Sequence, residues 1–351
     1  MKTGDRSDAM QRVAVRSSQL LGVGGFYLIL VVFFSAKADN FFTTDNVVTI
    51  LSTIAILGVV AIGQAVVLIS GGFDLSVSGT VPLGGIIYIT QVNSGHGMTV
   101  AIILAVGAGL VVGLVNGGII TGLGINPLIT TLATVSITGG LAFSVSNGLT
   151  VTLKDLGNAP LGQDFLGMPR YVWTMIALAI LCFVVLRFTV FGRMLYAVGG
   201  NREASRLAGL RVNAITIGVY VISGLLSSFA GVLLAQQLLA GAPSVGTTLG
   251  LQSITAVILG GASLQGGTGG IPGTLLGVLV IGTVSNGLAL MQVPTFYQQI
   301  ATGAILLLAV GLGRMRALVE HSIWSRSRPV GSDQQLLRAQ LEPDVVPTLK
   351  G

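Results

Sequence analysis

The sequence predicts an all-α polytopic membrane protein of about ten transmembrane helices. They form two inverted five-helix halves, with several helices broken at glycine or proline. Three observations carry this prediction. First, 52% of the 351 residues are hydrophobic, only 9% are charged, and the mean hydropathy is +0.88. Soluble domains carry about 25% charged residues. Here 18 basic and 12 acidic side chains cannot cover a soluble surface of this size. That excludes an ordinary cytosolic enzyme, a nucleic-acid binder and a disordered chain. Second, apolar runs of spanning length recur along the chain. Third, the basic residues fall almost entirely on one side of those runs.

In order, the candidate spans are Leu20–Ala36, Val47–Ser70, Leu75–Gln91, Met98–Ile120, Pro127–Gly148, Tyr171–Phe188, Asn213–Ala240, Leu249–Ala262, Ile271–Met291 and Phe296–Gly313. A span needs about 20 mostly apolar residues. The first, sixth and tenth are clear, and the eighth is too short to cross squarely. No charged residue lies between Val212 and Gly313, so boundaries there rest on glycine and proline clusters. The first run, followed by Ala36-Lys37-Ala38, also resembles a cleaved secretory signal. An uncleaved first helix is the better reading, because further spans follow immediately. The 51 glycines are about twice the usual share. Small residues let membrane helices approach closely where lipid supplies no hydrophobic drive between them.

Charge sets orientation. Lys2, Arg6, Arg12 and Arg16 precede the first span; Arg187, Arg193, Arg202, Arg206 and Arg211 follow the sixth; Arg314, Arg316, Arg326, Arg328, Arg338 and Lys350 follow the tenth. Ten spans place all of these on one side and leave Lys37, Lys154 and Arg170 on the other. By the positive-inside rule both termini are cytoplasmic. Eight spans with a re-entrant 249–291 have the same parity, so both counts stay open. The plan reads as a cytoplasmic segment 1–19, a membrane domain 20–313 with a cytoplasmic loop 189–212, and a cytoplasmic tail 314–351.

An internal repeat supports two halves. Asn116-Gly117 precedes Pro127 and a span; Asn286-Gly287 precedes Pro294 and a span. Gly71-Gly72 with Gly260-Gly261 implies a competing register. The Asn-Gly register is preferred, because it gives five spans per half. An odd number inverts the second half, which is a transporter signature.

Chemistry-bearing residues are few. His96 and His321 are the two histidines, and no His, Cys or carboxylate cluster has metal-ligand spacing. Cys182 is the single cysteine, so no intrachain disulfide forms. The run Gly260–Gly273 is glycine-rich but lacks the lysine of a phosphate loop. Asp74 is the one charged residue between Asp45 and Lys154. It reads as a proton or cation site, or, preferred, as a helix-start cap following the break at Gly71 and Gly72. Gln64, Asn116, Asn147, Gln236, Asn286 and Gln298 are amides within spans. They can hydrogen-bond a polyhydroxylated solute along a translocation path, or simply join neighbouring helices.

The most informative stretch is Thr189–Val212. Asn201 suits an N-cap, Glu203 a first turn and Gly209 a C′ position, which predicts a short helix at about Arg202–Ala208 outside the bilayer. So short a helix gains little alone, and makes sense against a partner protein or the lipid surface.

Phe191-Gly192-Arg193, Tyr196–Asn201, Glu203-Ala204 and Ala208-Gly209 resemble the cytoplasmic loop of ribose-type sugar ABC importer permeases. Gly71–Gly79 resembles that family's Gly-Gly-x-Asp-Leu-Ser-Val-Gly-Ser stretch with its last two residues exchanged. Asn126–Thr134, Gly260–Leu264 and Asn286–Leu288 continue the likeness over about residues 45–313. The resemblance implies the permease subunit of an importer in the bacterial inner membrane. Its implied partners are a separate ABC ATPase, which carries the ATP and magnesium, a second permease subunit (identical or paralogous) and a periplasmic sugar-binding protein. This chain itself would hold no cofactor and catalyse no reaction. The ATPase would dock on Gly199, Gly200, Asn201, Arg202, Glu203, Ala204, Leu207, Ala208 and Gly209. The alternative function is an ion-coupled secondary transporter using Asp74.

Overall fold

The computed structural model describes residues 21–155, 157, 159–308 and 311. The segment 1–19 and the tail 314–351 lie outside them. The chain divides after Leu306 into two units, and the helical bundle is the first of them.

A helix lies in the described part of each of the ten candidate spans. The helices are α1 (Leu21–Lys37), α2 (Thr44–Ile69), α3 (Val77–Asn93), α4 (Met98–Gly122), α5 (Pro127–Val145), α6 (Arg170–Phe188), α7 (Val190–Gly200), α8 (Arg202–Leu207), α9 (Val212–Leu238), α10 (Leu249–Leu259) and α11 (Ile271–Leu290). A twelfth, α12, covers 295–308. Among them α2, α4, α5, α6, α9 and α11 are long and apolar enough to cross a bilayer unaided. Helix α10 is shorter than its predicted Leu249–Ala262 and is preceded by ten non-helical residues, 239–248.

Local chemistry places the ends. Thr43 caps α2 through Asn46 N–H, Asn126 caps α5 through Leu128 N–H, and Pro127 occupies the first turn of α5. The missing proline N–H costs nothing there. Helix α7 lay inside the stretch read as loop. Its three glycines are poor helix formers, but Phe191, Leu195 and Val198 recur at helical spacing and pack into the core. Tertiary burial outweighs propensity here. Two short antiparallel pairings, Val151–Thr152 (β1) with Ala240–Gly241 (β4) and Asp164–Phe165 (β2) with Met168–Pro169 (β3), were also absent from the sequence reading.

Helix α9 is central and packs on α4, α3 and α2. Its close approach to α4 depends on glycine. A Cβ on Gly113 would strike the Tyr220 carbonyl, and one on Gly224 the Gly109 carbonyl. This is the small-residue packing that membrane helices use. Helix α2 in turn packs on α11, α10 and α9. Pairing α2 with α9, α3 with α10 and α4 with α11 exchanges these contacts. That correspondence is the one set by Asn116-Gly117 and Asn286-Gly287, not the Gly71/Gly260 register. It is the arrangement expected of two inverted halves.

The connections collect at two ends. At one, the α2–α3, α7–α8 and α10–α11 connections touch, and the α4–α5 turn faces α8. At the other, Asn93 donates to the Thr152 carbonyl and accepts from Lys154 N–H; Leu153 N–H reaches Leu239 O; and Leu161 N–H reaches Gln236 Oε1.

Candidate coupling element and interior polar network

Thr189 ends α6 and begins α7, its hydroxyl accepting from Gly192 N–H. Gly192, Leu195, Val198 and Gly199 are buried, so α7 is held against the bundle along one face. Helix α8 then turns outward. Asn201 Oδ1 accepts from Ala204 N–H at 2.9 Å. At the other end Gly209 adopts φ +83°, Gly209 N–H bonds Arg206 O, and Leu210 N–H bonds Ser205 O. These two bonds form a Schellman motif, and positive φ explains the glycine. A six-residue helix is therefore closed at both ends by residues read from the sequence.

Its faces are distinct. Ser205 is buried, and Arg202 donates to Thr216 Oγ1 at 2.8 Å, tying α8 to α9. Glu203 and Arg206 pair at 2.9 Å while remaining largely exposed, which contributes about 0–1 kcal/mol. Ala204, Ala208 and Gly209 are exposed, and Leu207 is 80% exposed. Beside this helix an open crevice of about 390 Å³ runs between Arg202, Glu203 and Arg206 and the Asn126–Pro127 turn.

Behind α8 lies a junction that the sequence reading missed. Gly199 lies against both Ile69 and Gly267: a Cβ there would overlap the Ile69 carbonyl and sit 2.7 Å from Gly267 N. Gly267 N–H donates to that same Ile69 carbonyl at 2.9 Å. A Cβ on Gly266 would sit 2.7 Å from Gly71 Cα. Tyr196 adds a hydroxyl bond to Gly269 O at 3.0 Å. Three connections thus meet backbone to backbone. The available signal was that all three carry glycine pairs and share one side by charge parity. In contrast, a Cβ on Gly200 would meet nothing within 4 Å.

Asp74 sits two residues before the Ser76 cap of α3 and is 1% exposed. Its Oδ1 accepts from Ser76 N–H at 2.9 Å and from the Ser76 hydroxyl; its Oδ2 accepts from Ser223 Oγ at 2.6 Å. Asn116 Nδ2 donates to Ser76 Oγ, and Thr134 Oγ1 donates to Asn116 Oδ1. Tyr220 Oη donates to Phe73 O. The carboxylate therefore joins the start of α3 to α9, and through Ser76 to α4 and α5. Gly72, next to this turn, is buried against Tyr220.

The six path amides do not converge. Asn116 is in that network; Gln236 accepts from Leu161 N–H; Asn286 donates to Asn46 Oδ1; Gln298 donates to Val293 O; and Asn147 is exposed at φ +52° beyond α5. Gln64 is fully buried with neither amide atom hydrogen-bonded to protein. Among the described residues no three metal-ligating side chains come together.

Among the described residues the fold is a bundle of apolar helices, six of them of spanning length, that presents a capped helix at one end, and similarity to known proteins gives its class as a transport permease. The family described as "Branched-chain amino acid transport system / permease component" matches residues 46–310, and the chain belongs to this family of ABC importer permeases. It is 41% identical over 300 residues to the L-arabinose ABC transporter permease of Azospirillum brasilense, covering 83% of this chain and 87% of that protein. It is 38% identical over 292 residues to the ribose import permease of Bacillus subtilis (82% and 91% covered). It is 37% identical over 303 residues to the L-arabinose permease of Escherichia coli K12 (85% and 92% covered). No solved structure matches at a significant level.

Proposed function

We propose that this chain is the membrane subunit of a bacterial sugar importer, forming the path for a sugar or similar polyhydroxylated solute. The observation that carries the substrate class is the 37–41% identity, over more than four-fifths of the chain, to permeases named for L-arabinose and ribose. A periplasmic binding protein delivers the solute, and a second permease subunit completes the path. A separate ATPase holds ATP and magnesium and docks on the exposed face of α8. Both termini are cytoplasmic in the inner membrane. The charge asymmetry supports this orientation, and each end of the bundle gathers connections of one parity only.

The ion-coupled alternative relied on Asp74. That carboxylate accepts three hydrogen bonds from neighbours on α3 and α9. The test begins with a thermal-shift panel of sugars on the cognate binding protein, followed by uptake of the hit. Uptake should stop when ATP is depleted with ion gradients maintained. Uptake that persists on the gradient alone refutes the importer reading.

A further inference from the structure

We propose that the irregular segment before α10, with the first turn of α10, lines the solute path, offering Ser244, Thr247, Thr248 and Gln252 to a polyhydroxylated solute. This inference rests on the importer reading and adds the surface that meets the substrate.

Depth in the membrane is the first ground. Asn93 at the end of α3 is bonded to the outer connection through Thr152 and Lys154. From there α3 runs inward, and the segment after α9 runs beside it. A Cβ on Gly241 would lie 3.1 Å from Ile86 Cα; one on Gly246 would lie 3.0 Å from Val81 Cγ1; one on Gly250 would strike Ser78 Oγ. Asn93 to Ser78 is about 22 Å of helix at 1.5 Å per residue. The hydrocarbon core is about 30 Å thick. Thr247 and Thr248, between Gly246 and Gly250, therefore lie about 18–22 Å inward of Asn93 along α3, a large part of that thickness.

Residues 239–248 are non-helical, and Ser244, Thr247 and Thr248 are exposed while Gln252 is half-buried. The Thr247 hydroxyl reaches only the Ser244 carbonyl, at 3.3 Å. Irregular backbone is not found facing lipid, because each unmet N–H or C=O costs several kcal/mol there. It is tolerated where protein covers it or where it lines a watery cavity. A packed contact between helices would surround these hydroxyls with partners and favour small residues. A row of open hydroxyls and an amide suits a passing polyol, to which each can both donate and accept hydrogen bonds.

The test uses the assembled importer in vesicles, in a Cys182→Ser background. A charged, membrane-impermeant methanethiosulfonate is applied on both faces during turnover. Thr247→Cys and Thr248→Cys should react at least tenfold faster than Val111→Cys, and their modification should block uptake. Val111 is the control because it is an apolar residue on α4, 58% exposed. Reaction no faster than that control overturns the proposal. So does oxidative cross-linking of Thr248→Cys between two permease copies without labelling, which would make this face a subunit contact. If neither cysteine reacts while uptake stays ATP-driven, this inference fails and the importer reading stands.

Discussion

Replacing Gly199 with alanine should disconnect α8, the proposed ATPase-docking helix, from the bundle. The added methyl would overlap the Ile69 carbonyl and lie 2.7 Å from Gly267 N, and real Cβ atoms do not approach below 3.0 Å. Both neighbours are backbone, so relief requires moving α7 or the 265–269 connection. Overpacking of this kind costs about 1–3 kcal/mol. Separating Gly267 N–H from Ile69 O forfeits about 1 kcal/mol more. Alanine returns up to about 1 kcal/mol of helix propensity. The net, about 1–4 kcal/mol, lowers the equilibrium constant for the native junction by about 5-fold at the low end and by several hundred-fold at the high end. Gly118→Ala on α4 is the control, because nothing lies within 4 Å of its added methyl and it belongs to no proposed contact. In proteoliposomes with ATPase and binding protein, Gly199→Ala should retain ATP hydrolysis but lose most solute uptake, while Gly118→Ala transports normally. Uptake at wild-type level in Gly199→Ala would refute the junction as a mechanical link.

The interior network and the topology give further predictions. Asp74→Asn should keep much of the transport, because the amide oxygen still accepts from Ser76 and the Ser223 hydroxyl can turn to accept. Asp74→Leu should lose it, since the Ser76 N–H and the Ser76 and Ser223 hydroxyls would be left buried without their acceptor, at about 1–3 kcal/mol each. Complete loss in Asp74→Asn at normal expression would restore the proton-site reading. In a Cys182→Ser background, Ser94→Cys should label from outside and Ala208→Cys only from inside, both positions being exposed. Outside labelling of Ala208→Cys would invert the topology.

Much of the fold was legible because lipid constrains the chain so strongly. The described part of each candidate span holds a helix, and the helix at 202 was found through Asn201 and Gly209, whose roles arise from short-range hydrogen bonds. Helix α7 was missed because Gly192, Gly199 and Gly200 disguise it; long-range packing of Leu195 and Val198 holds it in place. The same limit applied to the site. No local pattern says that Gly199, Gly71 and Gly266 meet, since they are brought together from connections far apart in sequence. Arg202, read as part of the docking surface, is exposed and also donates to Thr216 on α9, a tie between elements fourteen residues apart that no local pattern announces. The path amides were chosen for polarity within spans, and polarity alone cannot separate a lining residue from one that joins two helices.

The most direct test of coupling through α8 is Ala204→Arg. Ala204 lies on the exposed face of α8, outside the bundle, so the variant should insert and fold normally. A long cation there should clash or be buried without a counter-charge in the ATPase contact, costing several kcal/mol of binding. Tagged Ala204→Arg permease should purify without the ATPase, and uptake should fall with it. Co-purification at the wild-type ratio with normal uptake would contradict the claim that this helix couples ATP hydrolysis to transport.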